Sequence, residues 1–205
     1  MMTTTPRTAK GTATKEKLLA AAEHVFADLG YHEASIVKIT EHAGVAMGTF
    51  YLYFKSKLQI FEELVEDLNR RVRRAMSEAS SAQDNRLAAE RAGFHAFFNF
   101  SAQNPGLYRV IRQAEFVSPK AMQQHYQRII QPYAEALRIA RSRGEIGDVD
   151  PDVTAWALMG IGELIGLRWL LWDSKTATTM PDEVFDHTMT LVERALAPQL
   201  QQEEI

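Results

Sequence analysis

Apolar residues recur at three- and four-residue spacing along almost the whole chain, and no stretch sustains the alternation of a half-buried strand. The chain therefore reads as all helix. Leu18, Leu19, Ala22, Val25, Phe26 and Leu29 make a first apolar face, with Gly30 as its stop. Ser35 can cap a short helix over 36–43, ended by Gly44, and a second short helix follows over about 47–54. Ser56-x-x-Gln59 has the capping-box spacing and opens a longer helix with Phe61, Leu64, Val65, Leu68, Val72 and Met76 on one side. Asn104-Pro105, Ser118-Pro119 and Asp150-Pro151 each read as a cap residue followed by proline at the first helical position, and Met180-Pro181-Asp182 opens the last helix similarly. Pro132 falls inside a helical pattern and is expected to kink it. About nine helices result.

Composition narrows the chemistry. Without cysteine the chain has no disulfides and no thiolate-bound zinc or iron–sulfur cluster. Residues 1–13 are polar and read as a disordered tail rather than a secretory signal, so a cytoplasmic protein is expected. The six histidines form no H-x-x-x-H pair, and no G-x-S-x-G occurs. Neither an enzyme, a metal site nor a cofactor is expected. The net charge of −3 conceals an asymmetry. Residues 1–57 hold seven Lys/Arg against five Asp/Glu, net +2, and the remainder sixteen against twenty-one, net −5. Anion binding belongs in the N-terminal quarter.

Two short helices joined at Gly44-Val45-Ala46 have the geometry of a helix-turn-helix, whose second helix enters a DNA major groove; a plain αα-corner has the same spacing. Phe50 and Phe54, four apart, form the inward side of the second helix. Thr49 and Tyr53, also four apart, set two hydroxyls on another side, suited to phosphate oxygens. Gly48 lets the backbone approach another surface closely. Lys57, at the start of the next helix, joins a cation to free backbone N–H groups, a phosphate-binding combination. The basic run 69–74 lies about 20 Å further along that helix and reads as a solvated or internally paired face.

Ala43-Gly44-Val45, Gly48-Thr49, Tyr51, Tyr53-Phe54 and Ser56-Lys57, in this register after a suitable first helix, resemble the DNA-binding signature of the TetR family of bacterial regulators. Two positions depart from it: Ala46 stands where Ser or Thr is usual, removing a cap, and Thr40 where Ala is usual. The resemblance implies a homodimer whose two heads read halves of a palindromic double-stranded operator. Met47, Gly48, Tyr51 and Leu52 would then face bases; Thr49, Tyr53 and Lys57 would hold the backbone, with Ser35 and Lys38 adding phosphate contacts. Met47 and Leu52 cannot read hydrogen-bond patterns, so thymine methyls are their physical option.

Phe94, Phe97, Phe98 and Phe100 fall within seven residues; Tyr108, Ile111, Phe116, Met122 and Tyr126 follow. Singly each reads as core; together they suit an apolar pocket. The resemblance implies an inducer there, a small hydrophobic or aromatic molecule, conceivably acyl-type, with Arg112, Trp156, Met159 and Glu163 as further candidates. Residues 153–172 are almost wholly apolar, but Glu163 and Arg168 in their midst argue against a membrane span. Gly162-x-x-x-Gly166 permits a close helix crossing. By resemblance, Gly162, Ile165, Gly166 and Trp169, with Phe185, Met189, Val192 and Leu196 of the last helix, form the dimer interface.

The expected organisation is a tail (1–13), a three-helix DNA-binding head (14–57) and a C-terminal bundle for ligand binding and dimerisation (58–205). The expected function is a ligand-released DNA-binding repressor. The alternative is an all-helical ligand-binding or carrier protein without sequence-specific DNA binding.

Overall fold

The computed structural model describes residues 9–172 and 179–198. Among them are nine α-helices and no strand: α1 (Ala9–Glu33), α2 (Ile36–Ala43), α3 (Met47–Tyr53), α4 (Lys57–Ser80), α5 (Arg86–Gln103), α6 (Gly106–Val117), α7 (Pro119–Ser142), α8 (Pro151–Gly166) and α9 (Asp182–Leu196). α8 continues as a π-helical turn, Leu167–Trp172. Residues 9–13, expected in the tail, belong to α1, and residues 1–8 lie outside the described residues.

The chain divides into two compact units. One holds the chain up to Leu68 together with Pro105–His125; the other holds Asn69–Asn104 and the chain from Tyr126 onward. These divisions fall inside α4, between α5 and α6, and inside α7; the expected boundary was at 57/58.

In the first unit, Leu18, Ala22 and Phe26 of α1, Ile39 of α2, Phe50 of α3, Phe54, and Ile60, Phe61 and Leu64 of α4 are fully buried. Their rings meet edge to face: Phe26 and Phe61 stand 5.3 Å apart at 82°, and Tyr31 and Phe61 5.1 Å apart at 75°. The break expected at Gly30 is present, because Gly30 takes φ 76°, outside the helical range. The Gln113 side chain of α6 bridges this break. Its Oε1 accepts the Tyr31 N–H at 2.6 Å and its Nε2 donates to the Phe26 carbonyl at 3.0 Å. The start of α6 lies so close to α1 that a Cβ on Gly106 would meet Glu23 Oε1 at 2.7 Å.

The second unit buries Phe94 and Phe98 of α5, Ile130, Ala134 and Leu137 of α7, Leu158 of α8, and Met189, Val192 and Leu196 of α9 in one core. The Asp150 cap of α8 forms as expected, accepting the Val153 N–H at 2.8 Å with Pro151 next. Pro151–Trp172 is long and apolar enough to cross a membrane. Its Ala155, Leu158, Leu167 and Leu170 are nevertheless buried in this unit. α7 runs through Pro132 without interruption. The expected Asn104 cap of α6 does not form. Its Nδ2 turns back to the Phe100 carbonyl at 2.8 Å and its Oδ1 accepts from Arg71, so Asn104 closes α5 instead.

Candidate nucleic-acid interface

The turn between α2 and α3 is built from the backbone outward. Ser35 Oγ accepts the Lys38 N–H at 3.2 Å and starts α2. Gly44 ends it in the left-handed region, φ 65°, with its N–H on the Glu41 carbonyl and the Val45 N–H on the Thr40 carbonyl at 3.0 Å. Thr40, unusual at its position, is buried but satisfied, donating to the Val37 carbonyl at 2.9 Å. α3 begins at Ala46 with no side-chain cap, as the missing hydroxyl implied. A seven-residue helix without a cap holds because Phe50 and Phe54 anchor it.

The opposite side of α3 is open. Met47 is 51% exposed, Tyr51 52% and Leu52 70%, with Gly48 exposed between them. Among the described residues, nothing beyond the helix's own backbone and the adjacent residues comes within 4 Å of where a Gly48 Cβ would stand, so packing among them does not require glycine there. Thr49 and Tyr53 are half-buried at the edge of this face. Ser35 serves as the α2 cap, and the exposed Lys38 ammonium lies 3.2 Å from the Glu33 carbonyl.

Lys57 requires a correction. Its ammonium donates to the carbonyls of Tyr31 at 2.7 Å, Ala34 at 2.8 Å and His32 at 3.3 Å, and stands 4.4 Å from the centre of the Tyr31 ring. All three donors are thus committed to the end of α1, and Lys57 acts as a clasp rather than a phosphate ligand. Burial, and secondarily the Glu62 carboxylate, push the Tyr31 phenol above its ordinary pKa, keeping it neutral beneath the ammonium. Nearby, Lys15 pairs with Glu63 at 2.6 Å and lies over the Phe54 ring. The Ser56–Gln59 capping box forms only in half. Ser56 Oγ accepts the Gln59 N–H at 3.1 Å, but Gln59 Oε1 takes the Lys55 N–H at 2.8 Å.

The expected ligand residues divide between the two units. Tyr108, Ile111, Arg112, Phe116 and Met122 belong to the first. There Tyr108 and Ile111 are buried and Arg112 is exposed. Phe116 is 82% exposed. In the second unit, Phe94 and Phe98 are core residues, with Phe97 and Met159 packed against them. Tyr126, Trp156 and Glu163 form a separate group. Tyr126 lies 5.8 Å from the Trp156 ring and donates to the Glu163 carboxylate at 3.0 Å.

Five of the expected dimer residues, Gly162, Gly166, Met189, Val192 and Leu196, are buried within their own chain. Met189, Val192 and Leu196 have no exposure and fill the core of their own unit, with Ile165, Trp169 and Phe185 packed against it. Gly162 and Gly166 are buried, and the position of a Gly162 Cβ is 3.4 Å from the Phe94 ring, so this glycine admits α5 of the same chain. The apolar side chains that α8 and α9 leave outside are Val153, Trp156, Leu164 and Leu191.

Sequence reasoning missed the buried Glu90, which pairs with Arg86 Nε at 3.0 Å and accepts from the Tyr133 hydroxyl. Burial raises the Glu90 pKa, partly offset by Arg86 and by Tyr133. Tyr133 is pushed well above the ordinary phenol value by burial and by Glu90. The signal was available, since Glu90 lies on the same α5 stripe as Phe94 and Phe98. The basic run finds internal partners: Arg73 donates to Asn69 Oδ1 at 3.0 Å, and Arg74 pairs with Glu78.

A helix-turn-helix with a buried inner face and an open outer one has the arrangement with which DNA-binding heads present their second helix to the major groove. The family described as "Bacterial regulatory proteins, tetR family" matches residues 18–64. The HTH-type transcriptional regulator YdgC of Bacillus subtilis is 29% identical over 182 residues, covering 85% of this chain and 90% of that protein. The transcriptional activator FasR of Mycolicibacterium smegmatis is 36% identical over 106 residues, covering 50% of this chain and 47% of that protein. The transcriptional regulator FadR of Bacillus subtilis, solved with stearoyl-CoA, shares the fold at a TM-score of 0.75 and 23% identity, over 86% of this chain and 96% of that one. Residues 18–64 thus match the tetR family of bacterial regulatory proteins, and over most of its length the chain is similar to an HTH-type transcriptional regulator. YdgC is named as an HTH-type transcriptional regulator and FasR as an HTH-type transcriptional activator.

Proposed function

We propose that the protein is a cytoplasmic repressor that binds a palindromic operator as a homodimer, through heads formed by residues 14–57, and leaves it when a small apolar ligand binds within 58–205. One observation carries the reading: α3 buries Phe50 and leaves Met47, Tyr51 and Leu52 open to a partner. Ser35, Lys38, Thr49 and Tyr53 border that face and serve as the backbone-holding groups. The outward apolar side chains Val153, Leu164 and Leu191 supply the surface on which two copies pair. Two heads so paired engage successive major grooves about 34–36 Å apart, and a ligand that favours another spacing releases them.

The ligand class proposed is acyl-type. Its support is the likeness in fold to the FadR structure holding stearoyl-CoA. Phe94, Phe97, Phe98 and Met159 offer an apolar wall, and Tyr126, Trp156 and Glu163 offer polar and aromatic groups.

A gel shift on the DNA upstream of the protein's own gene tests the reading, with a scrambled duplex as control and acyl-CoAs of increasing chain length as ligands. Specific binding in roughly the nanomolar range, released by one acyl-CoA, is expected. Equal affinity for the scrambled duplex would leave the carrier-protein reading. The likeness to FasR, an activator, makes the direction of control a separate question. A rise in transcript when the protein binds would reverse the repressor assignment.

A further inference from the structure

The seven residues of α3 are Met-Gly-Thr-Phe-Tyr-Leu-Tyr, with no Arg, Lys, Asn, Gln, Asp or Glu among them. Met47 and Tyr51 stand four apart, as do Gly48 and Leu52, so these four share one face of the helix. That face is the exposed one. The side chains that ordinarily discriminate bases by paired hydrogen bonds, Arg on guanine and Asn or Gln on adenine, are missing from it. Tyr51 carries the one hydroxyl on this face; Met47 and Leu52 beside it have nothing to donate, and Leu52 nothing to accept.

On the floor of the major groove the apolar group that distinguishes one base pair from another is the 5-methyl of thymine. Resting on the reading of α3 as the groove-facing helix, we infer that Met47 and Leu52 select the operator through thymine methyls. Gly48, which has no side chain to hold the helix off, lets the backbone come close enough for these contacts. Guanine in the same register leaves Leu52 against polar base edges and is disfavoured. Specificity thus arises from burial of methyl groups rather than from a hydrogen-bond code.

The test uses the full chain. Operators are selected from random duplexes, and each thymidine of the best duplex is replaced in turn by deoxyuridine. That substitution removes one methyl and keeps every base-pairing and groove hydrogen bond. Affinity is read by fluorescence anisotropy. A loss of about fourfold per contacted methyl is expected, at one or more positions in each half-site. Leu52→Ala, at an exposed position that leaves the fold intact, should erase the deoxyuridine penalty at the position Leu52 touches and keep it elsewhere. A selected operator that binds equally well with all its thymines replaced overturns this inference alone. A penalty of unchanged size in Leu52→Ala overturns the assignment to Leu52, tracing the effect to duplex stiffness. Failure to select any duplex over random DNA overturns the DNA-binding reading as well.

Discussion

The ammonium of Lys57, the first residue of α4, donates to the carbonyl of Tyr31, near the last turn of α1, at 2.7 Å. The same ammonium also takes the Ala34 and His32 carbonyls, so one side chain ties the entry of α4 to the segment leading into α2. Lys57→Met should therefore lower unfolding free energy by about 2 kcal/mol, the scale of hydrogen bonds to a charged group. The slope of log affinity for DNA against log salt should stay at the wild-type value, because no phosphate contact is lost. A slope shallower by about one ion would return Lys57 to the phosphate-binding set.

Gly48 separates stability from binding. Glycine inside a helix costs roughly 0.5–1 kcal/mol relative to alanine, and a Cβ there meets no atom of the described residues beyond its own helix backbone and neighbours. Gly48→Ala should raise the melting temperature while weakening operator binding at least tenfold. A variant more stable and equally tight would mean that nothing approaches this position.

Gln113 satisfies backbone groups on both sides of the break at Gly30. Gln113→Leu keeps the volume and leaves the Tyr31 N–H and the Phe26 carbonyl without their side-chain partner, at a cost of about 1–3 kcal/mol. Amide exchange at Tyr31 should accelerate at least tenfold. Unchanged protection there would show that another group can splice the break.

Glu90 predicts a pH dependence. Its raised pKa means that the folded chain holds this proton more tightly than the unfolded chain. The associated stability is complete below the ordinary carboxylate value and is lost as pH rises through the folded value. Glu90→Gln removes this titration. Denaturant unfolding from pH 4 to pH 8 should show the variant gaining on the wild type as pH rises. A constant difference across that range would mean that Arg86 and Tyr133 fully offset the burial.

Leu164 is exposed on α8, beside the side chains proposed to pair two copies. Leu164→Glu should leave helicity unchanged and shift the sedimenting species to monomer, with operator affinity down at least tenfold. A dimer that survives would place the interface elsewhere.

Local signals were the legible ones. Ser35, Gly44 and Asp150 acted as caps where their spacing placed them, because a cap is decided by neighbours within a turn. Asn104-Pro105 shows the same pattern and misled, because Arg71, distant in sequence, holds the Asn104 side chain on α5. Phe50 and Phe54 are inward as expected, since two phenylalanines four apart fall on one side of a helix. α8 is apolar nearly all round and carries no such phase, so its sequence does not show that Gly162 faces Phe94 of α5. Lys57 was ambiguous for a different reason. A cation near free backbone groups suits a phosphate or a helix C-terminus equally, and only the folded chain reveals that the end of α1 lies within reach.

The uncapped α3 has an evolutionary consequence. Phe50 and Phe54 hold it in place, while Met47, Tyr51 and Leu52 bear little of the folding load. Mutation can rewrite those outward positions almost freely. A lineage carrying this scaffold could thus acquire new target genes by changing two or three codons, without first having to re-evolve a stable head.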